Sequence, residues 1–235
     1  MSSFVKRFKP GRFIWTVLVT LYFLIFFTNF FRDAIPDRMT LPVLFAYVFV
    51  LWLSLEYYFG SPFFQSGTVE HSAFWRGMFA FFVYPFLGYL GADFIWWHWT
   101  QIPVPVAVTG FLGLAVFVIG TYVRLGTLFD ILKIAQVRPP VRGSKEETFL
   151  LPEKRFVGLR FQKLARHPRY FATFIQLVGA ALVFRSWGGL VLAVVVGLPL
   201  LLQQVRYEDA RLPDVLKHEL KAYSDTVPAF WPRFR

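Results

Sequence analysis

The chain is expected to be all-α: a polytopic bundle of about six membrane helices, with a polar pocket at one membrane face built from its C-terminal third. Three observations carry that expectation. Apolar residues make up 56% of the sequence and aromatics 20%, with 30 phenylalanines among them, above the roughly 45–50% apolar usage of soluble domains. They gather into runs close to the ~20 residues that cross a ~30 Å hydrocarbon layer. The net charge is +11, and its basic residues fall between those runs. Lys and Arg collected on one side are the ordinary outcome of positive-inside insertion beside anionic headgroups, so this charge points to a membrane and to no nucleic acid.

In chain order, the basic collar Lys6, Arg7, Lys9 and Arg12 precedes the first run, residues 13–31. That run is too long and too aromatic for a signal-peptide core and is read as a span. A second span, 41–59, carries Glu56 near its end as an interfacial or interhelical partner. Gly60-Ser61-Pro62 is expected to stop that helix. The third span, 77–97, contains Pro85 as an expected kink and Asp93 about a turn from its end. Trp96, Trp97 and Trp99 read as an interfacial belt, with His98 at headgroup level. In the fourth span, 102–123, Gly110, Gly113 and Gly120 read as helix-packing positions, because no strand precedes them to form a nucleotide loop.

From residue 124 to 169 the character changes, with eleven Lys/Arg and the turn-forming Pro139-Pro140 and Gly143-Ser144. Arg166-His167-Pro168-Arg169-Tyr170 then opens an apolar hairpin, 171–205, which turns at Arg185-Ser186-Trp187-Gly188-Gly189 and returns to Arg206-Tyr207-Glu208-Asp209. Arms of about seventeen residues cover ~26 Å, so the geometry sets Arg166 and His167 beside Glu208 and Asp209 on one face. The chain thus divides into a region of spans, 1–123, and a region 124–235 holding the hairpin, the polar junction and a polar tail. With six spans, only Arg32, Arg38 and Arg185 of the 25 Lys and Arg residues fall opposite the termini. Termini and junction are therefore expected on the cytoplasmic side of a bacterial inner membrane or an endoplasmic-reticulum-type membrane.

The absence of cysteine removes disulfides and thiolate chemistry. The four histidines, His71, His98, His167 and His218, are scattered, and neither a His-Glu-x-x-His nor a Gly-x-Ser-x-Gly element occurs, so no metal is expected. What remains is a basic, aromatic, carboxylate-bearing junction. Arg166 or Arg169 suits a carboxylate or phosphate, His167 a proton near neutrality, and Glu208 or Asp209 an ammonium. Such a set fits a zwitterionic cofactor with an amino-acid end, approached by a lipid from the bilayer. The plainer alternative is a positive-inside anchor, with Pro168 ordinary in a first helical turn.

The C-terminal third, residues 120–235, resembles the isoprenylcysteine carboxyl methyltransferase and phospholipid methyltransferase superfamily. The resemblance lies in Arg166-His167-Pro168-Arg169-Tyr170, the hairpin, Glu208-Asp209 where the family has Glu-Glu, and the tail from Glu219 through Tyr223 to Val227-Pro228 and Trp231-Pro232. Upstream, Leu125-Gly126-Thr127-Leu128-Phe129 is similar to the family's Leu-Gly-x-x-Phe element. The resemblance implies S-adenosylmethionine as cofactor, with Arg166, His167, Pro168, Tyr170, Glu208 and Asp209 as binding residues. It implies a lipid or prenylated substrate, with Arg206 at its polar end and Glu208 beside the cofactor's amino group as the residues nearest the chemistry. The chain departs from the family in lacking the His-x-Leu-Val-x-x-Gly-Pro-Tyr stretch before the Arg-His-Pro, which leaves O- and N-methylation both open. A sterol reductase group also has an Arg-His-Pro-x-Tyr element and would imply NADPH, and a non-catalytic scaffold is the third reading.

Overall fold

The computed structural model describes residues 39–65, 73–134, 136–138, 148–150, 160–210, 223 and 225–232, together with isolated positions between 11 and 25. Apart from those isolated positions, the expected span 13–31 lies outside the described residues. The chain forms two compact units, Met1–Pro62 and Phe63–Arg235. The described part of the first is essentially one helix, α1 (Thr40–Gln65), in which Phe45 and Glu56 are buried and Phe49 stands edge-on to Trp52.

α1 runs through Gly60-Ser61-Pro62 to Gln65, beyond the stop expected there. The helix penalties of Gly and Pro, about 1 and 3 kcal/mol, are weak priors that context overrides. The punctuation survives as the boundary between the two units, which falls after Pro62.

In the second unit, α2 (Ala73–Ala92) continues into a π-helical turn, Asp93–Trp97, and carries Pro85 within an unbroken helix. α3 (Val106–Ile134) begins just after Pro105 and runs about ten residues past the expected end, because Leu125, Leu128, Phe129 and Leu132 keep up helical apolar spacing beyond Arg124. A two-stranded antiparallel ribbon follows, β1 (Gln136–Arg138) on β2 (Thr148–Leu150), with Val137 opposite Phe149. This ribbon was not expected from the sequence; it is the one departure from helix among the described elements.

The hairpin is α4 (Pro168–Val183), then α5 (Trp187–Leu192), a π-helical turn (Ala193–Gly197) and α6 (Leu198–Ala210) as one continuous rod. Its bend is shorter than expected. Ser186 caps α5 by accepting the Gly189 amide at 3.0 Å, so Trp187, Gly188 and Gly189 are already helical, and Arg185 takes up the reversal at φ 54°.

α3 and α4 pack antiparallel through a glycine seam. A Cβ on Gly113 would overlap the backbone N of Val183, one on Gly179 would lie 2.6 Å from Phe117 N, and one on Gly120 would lie 2.8 Å from Ala172 O. The small residues let the two backbones touch, as expected of Gly113 and Gly120 in an apolar medium where burial alone does not draw helices together.

Three helical stretches among the described residues are long and apolar enough to cross a membrane: Gly77–Trp97, Val106–Leu132 and Trp187–Ala210. Thr40–Glu56 and Pro168–Val183 are shorter apolar helices. The sixteen residues of the latter cover about 24 Å. The chain is an integral membrane protein.

Candidate functional site

The bundle carries polar clusters at both ends. At the end where α2 passes into α3, Asp93 is fully buried. Its Oδ1 accepts from the backbone amides of Trp99 at 2.9 Å and Thr100 at 3.2 Å. Its Oδ2 accepts from the hydroxyls of Thr100 at 2.7 Å and Ser186 at 3.2 Å. Tyr89 bonds Thr100 Oγ1 at 2.9 Å. Backbone bonds from Ile102 to Arg185 O and from Trp187 to Thr100 O, each 2.7 Å, fasten the loop to the hairpin bend. Around this clasp Trp96, Trp97, Trp99 and Trp187 are exposed, the arrangement of an interfacial belt. His98 sits among them with Nδ1 2.7 Å from Gln101 Nε2.

The other end is the junction of α4 and α6. Pro168 occupies the first turn of α4, and His167 is its N-cap residue yet makes no side-chain capping bond. Instead the imidazole reaches the carboxylates at the end of α6, with Nε2 2.7 Å from Asp209 Oδ1 and Nδ1 3.4 Å from Glu208 Oε2. Arg166 Nη2 lies 3.2 Å from Asp209 Oδ2. Tyr170 donates its hydroxyl to Glu208 Oε1, which also accepts from Gln204 Nε2 at 3.0 Å.

Each helix end here carries the wrong sign for its own dipole, cations before the start of α4 and carboxylates at the end of α6. Each is offset by the other. The arrangement is specified across the hairpin, which is why neither arm alone announces it.

Burial on its own would lower the pKa of His167, but the hydrogen bonds and charges of Asp209 and Glu208 outweigh it and the net shift is upward. Only an imidazolium can donate from both nitrogens, and the carboxylates on either side favour that form. With it the four charges of Arg166, His167, Glu208 and Asp209 balance.

The tail closes over this cluster. The amides of Arg166 and His167 donate to the carbonyls of Pro228 at 2.9 Å and Ala229 at 3.0 Å. Phe230 is buried with its ring edge-on to Phe171. Tyr223 bonds the carbonyl of Gln162 at 2.5 Å, and burial raises its pKa to about 12 against the opposing charge of Arg166.

Of the residues expected at the site, Arg166, His167, Pro168, Tyr170, Glu208 and Asp209 meet at this junction, whereas Arg206 lies on the exposed face of α6. Gln204 was not anticipated. Its only sequence signal is an amide one helical turn before Glu208, next to Gln203 in an arm that is otherwise apolar.

Two polar atoms in the cluster, Arg166 Nε and Gln204 Oε1, are buried with no hydrogen-bond partner among the described residues. One is a donor and one an acceptor, the complement of a bound zwitterion. Among the described residues no group of three or more His, Asp or Glu side chains could hold a metal.

Separately, Tyr122, Leu125, Gly126, Phe129, Asp130 and Arg160 line a cavity of about 340 Å³, into which the Leu125-Phe129 element falls.

No protein-family model matches this chain. Nor does any curated protein sequence.

Proposed function

We propose that the protein is an S-adenosylmethionine-dependent methyltransferase of the membrane, acting on an amphiphilic acceptor, with the α4/α6 junction as its cofactor site. The observation that carries this reading is that a donor, Arg166 Nε, and an acceptor, Gln204 Oε1, are buried in one cluster with no partner among the described residues. A buried polar atom without a partner costs about 1–3 kcal/mol, and a ligand that supplies the partner recovers it. The amino-acid end of S-adenosylmethionine presents a carboxylate for Arg166 and an ammonium for Gln204 and Glu208, so the residues present fit that end of the molecule. The resemblance of residues 120–235 to the prenylcysteine and phospholipid methyltransferases supports the same reading.

The cofactor supplies a sulfonium methyl group. The chain's own contribution is to bind and orient. Arg166 would hold the carboxylate and Glu208 and Gln204 the ammonium, while His167 keeps both acidic side chains in place and Tyr170 fixes the second oxygen of Glu208. Phe171, Phe230 and the tail exclude water from the junction. In-line displacement needs orientation and a dry site more than proton transfer. The acceptor, a prenylated carboxylate or an aminophospholipid headgroup, arrives from the bilayer, and Arg206 on the exposed face is placed to meet its polar end. Six spans, with termini and junction at the cytoplasmic face, complete the proposal.

Calorimetric titration of detergent-purified protein with S-adenosylhomocysteine and, in parallel, with NADPH tests it. Binding of the nucleoside that is lost in His167→Ala and Glu208→Gln is expected. Binding of NADPH instead supports a lipid reductase, and binding of neither returns the junction to an anchoring role.

A further inference from the structure

We infer that the tail, Tyr223 together with residues 225–232, is a lid over the α4/α6 junction that lifts to admit a water-soluble ligand and closes behind it. The inference rests on the reading of that junction as a cofactor site and concerns how the site is reached. Access is the first argument. Arg166 Nε and Gln204 Oε1 are buried, and a third atom belongs with them: Gln162 is 1% exposed, and its Oε1 has no partner among the described residues. A solute cannot meet an atom that water cannot touch, so a ligand for these atoms enters only after something moves. The tail itself ties down two of the three residues. The Gln162 carbonyl accepts the Tyr223 hydroxyl at 2.5 Å, and the Arg166 amide donates to Pro228 O at 2.9 Å.

Independence is the second. The junction is assembled without the tail. Arg166 and His167 reach Asp209, Tyr170 and Gln204 reach Glu208, and α4 rests on α3 through the backbone contacts at Gly113, Gly120 and Gly179. Lifting the tail leaves each of these contacts in place. The tail in turn keeps its own turn, the Tyr223 carbonyl accepting the Val227 amide at 2.8 Å and the Thr226 hydroxyl at 3.1 Å, so it can move as one piece.

The latch is the third. Phe230 is buried, its ring edge-on to Phe171 at 5.9 Å and tilted against Phe174 at 6.5 Å. The neighbouring Trp231 stands edge-on to the same two rings yet is 52% exposed. One ring is inserted and the next is half outside, so the apolar hold is released by withdrawing a single side chain. The polar hold is the Tyr223 hydroxyl and two backbone bonds, from Arg166 to Pro228 and from His167 to Ala229, groups that water satisfies once the tail is up. A segment held by so few contacts belongs to the low-stability end of a fold, from which lids over binding sites are drawn.

The test is the kinetics of S-adenosylhomocysteine binding to the full chain in detergent, followed by stopped flow. Wild type is compared with Phe230→Ala, with the milder Tyr223→Phe, and with a Phe171→Cys/Phe230→Cys pair. The chain has no cysteine of its own, so a short, reducible thiol-bridging reagent joins only that pair. With opening ahead of binding, the observed association rate of wild type should level off as ligand concentration rises. Phe230→Ala should raise both that plateau and the dissociation rate about tenfold, and Tyr223→Phe should raise them less. Bridging the pair should stop association until a reductant restores it. A merely structural defect would weaken binding without speeding association. Rates that climb in proportion to ligand and are alike in wild type, both variants and the bridged pair would overturn the lid and leave the cofactor reading standing. No binding by wild type at any concentration would overturn both.

Discussion

The two polar ends of the bundle each hold carboxylates between helices and differ in what meets those carboxylates: neutral donors at one end, charged as well as neutral partners at the other. Around Asp93 every carboxylate oxygen is met by neutral donors, two amides and two hydroxyls, and the group is fully buried. Around Glu208 and Asp209 the charged Arg166 and His167 join the neutral Tyr170 and Gln204, the side chains of the four charged residues keep 16–25% exposure, and Arg166 Nε and Gln204 Oε1 have no partner among the described residues. The Asp93 carboxylate is saturated and acts as a clasp, while Arg185 Nε at the same bend is buried without a hydrogen-bond partner among the described residues. At the junction a donor and an acceptor are held at a cost that a bound ligand would recover.

Substitutions at the two ends should separate stability from binding. The largest stability loss is expected for Asp93→Ala, which removes a fully buried acceptor of four hydrogen bonds. A drop of about 3 kcal/mol, read by thermal unfolding in detergent, is the expected result, with cofactor affinity kept in whatever remains folded. Between the ends, Gly113→Ala forces a methyl against the backbone of Val183. It should cost about 2 kcal/mol by parting α3 from α4, with both ends weakened alike. Glu208→Gln should be nearly neutral for stability yet lower nucleoside affinity more than about tenfold.

His167 sharpens the comparison through pH. Its pKa is raised in the folded chain, so the folded state holds the proton more tightly than the unfolded one. The stabilisation it gives is complete below the ordinary histidine value of about 6.5 and is lost as pH rises through the raised folded value. Melting temperature should therefore fall on raising the pH above about 6.5, and His167→Ala should flatten that slope. Arg206→Ala, on the exposed face of α6, is expected to change stability by less than about 0.5 kcal/mol.

Much of this was legible in the residues, for reasons of distance along the chain. Hydropathy gave the helical class because each span is local. Gly113 and Gly120 announced the seam because an apolar helix has little other use for paired glycines. The α4/α6 junction was legible because its two halves flank one hairpin, and hairpin geometry alone brings Arg166 and His167 to Glu208 and Asp209. The clasp was not. Asp93 and Ser186 are ninety-three residues apart, and nothing near either one signals the other, so Asp93 read only as a polar residue near a helix end. Gln204 was hidden by its apolar surroundings, and the cavity by the folding of Arg160 back onto α3.

The central claim is that the unsaturated junction is a ligand site, and S-adenosylhomocysteine binding to wild type and Glu208→Gln, measured by calorimetry beside their melting temperatures, tests it most directly. The account predicts binding in wild type, more than about tenfold weaker binding in the variant, and melting temperatures that differ little. Equal binding in both proteins, or none in either at matched stability, would contradict it.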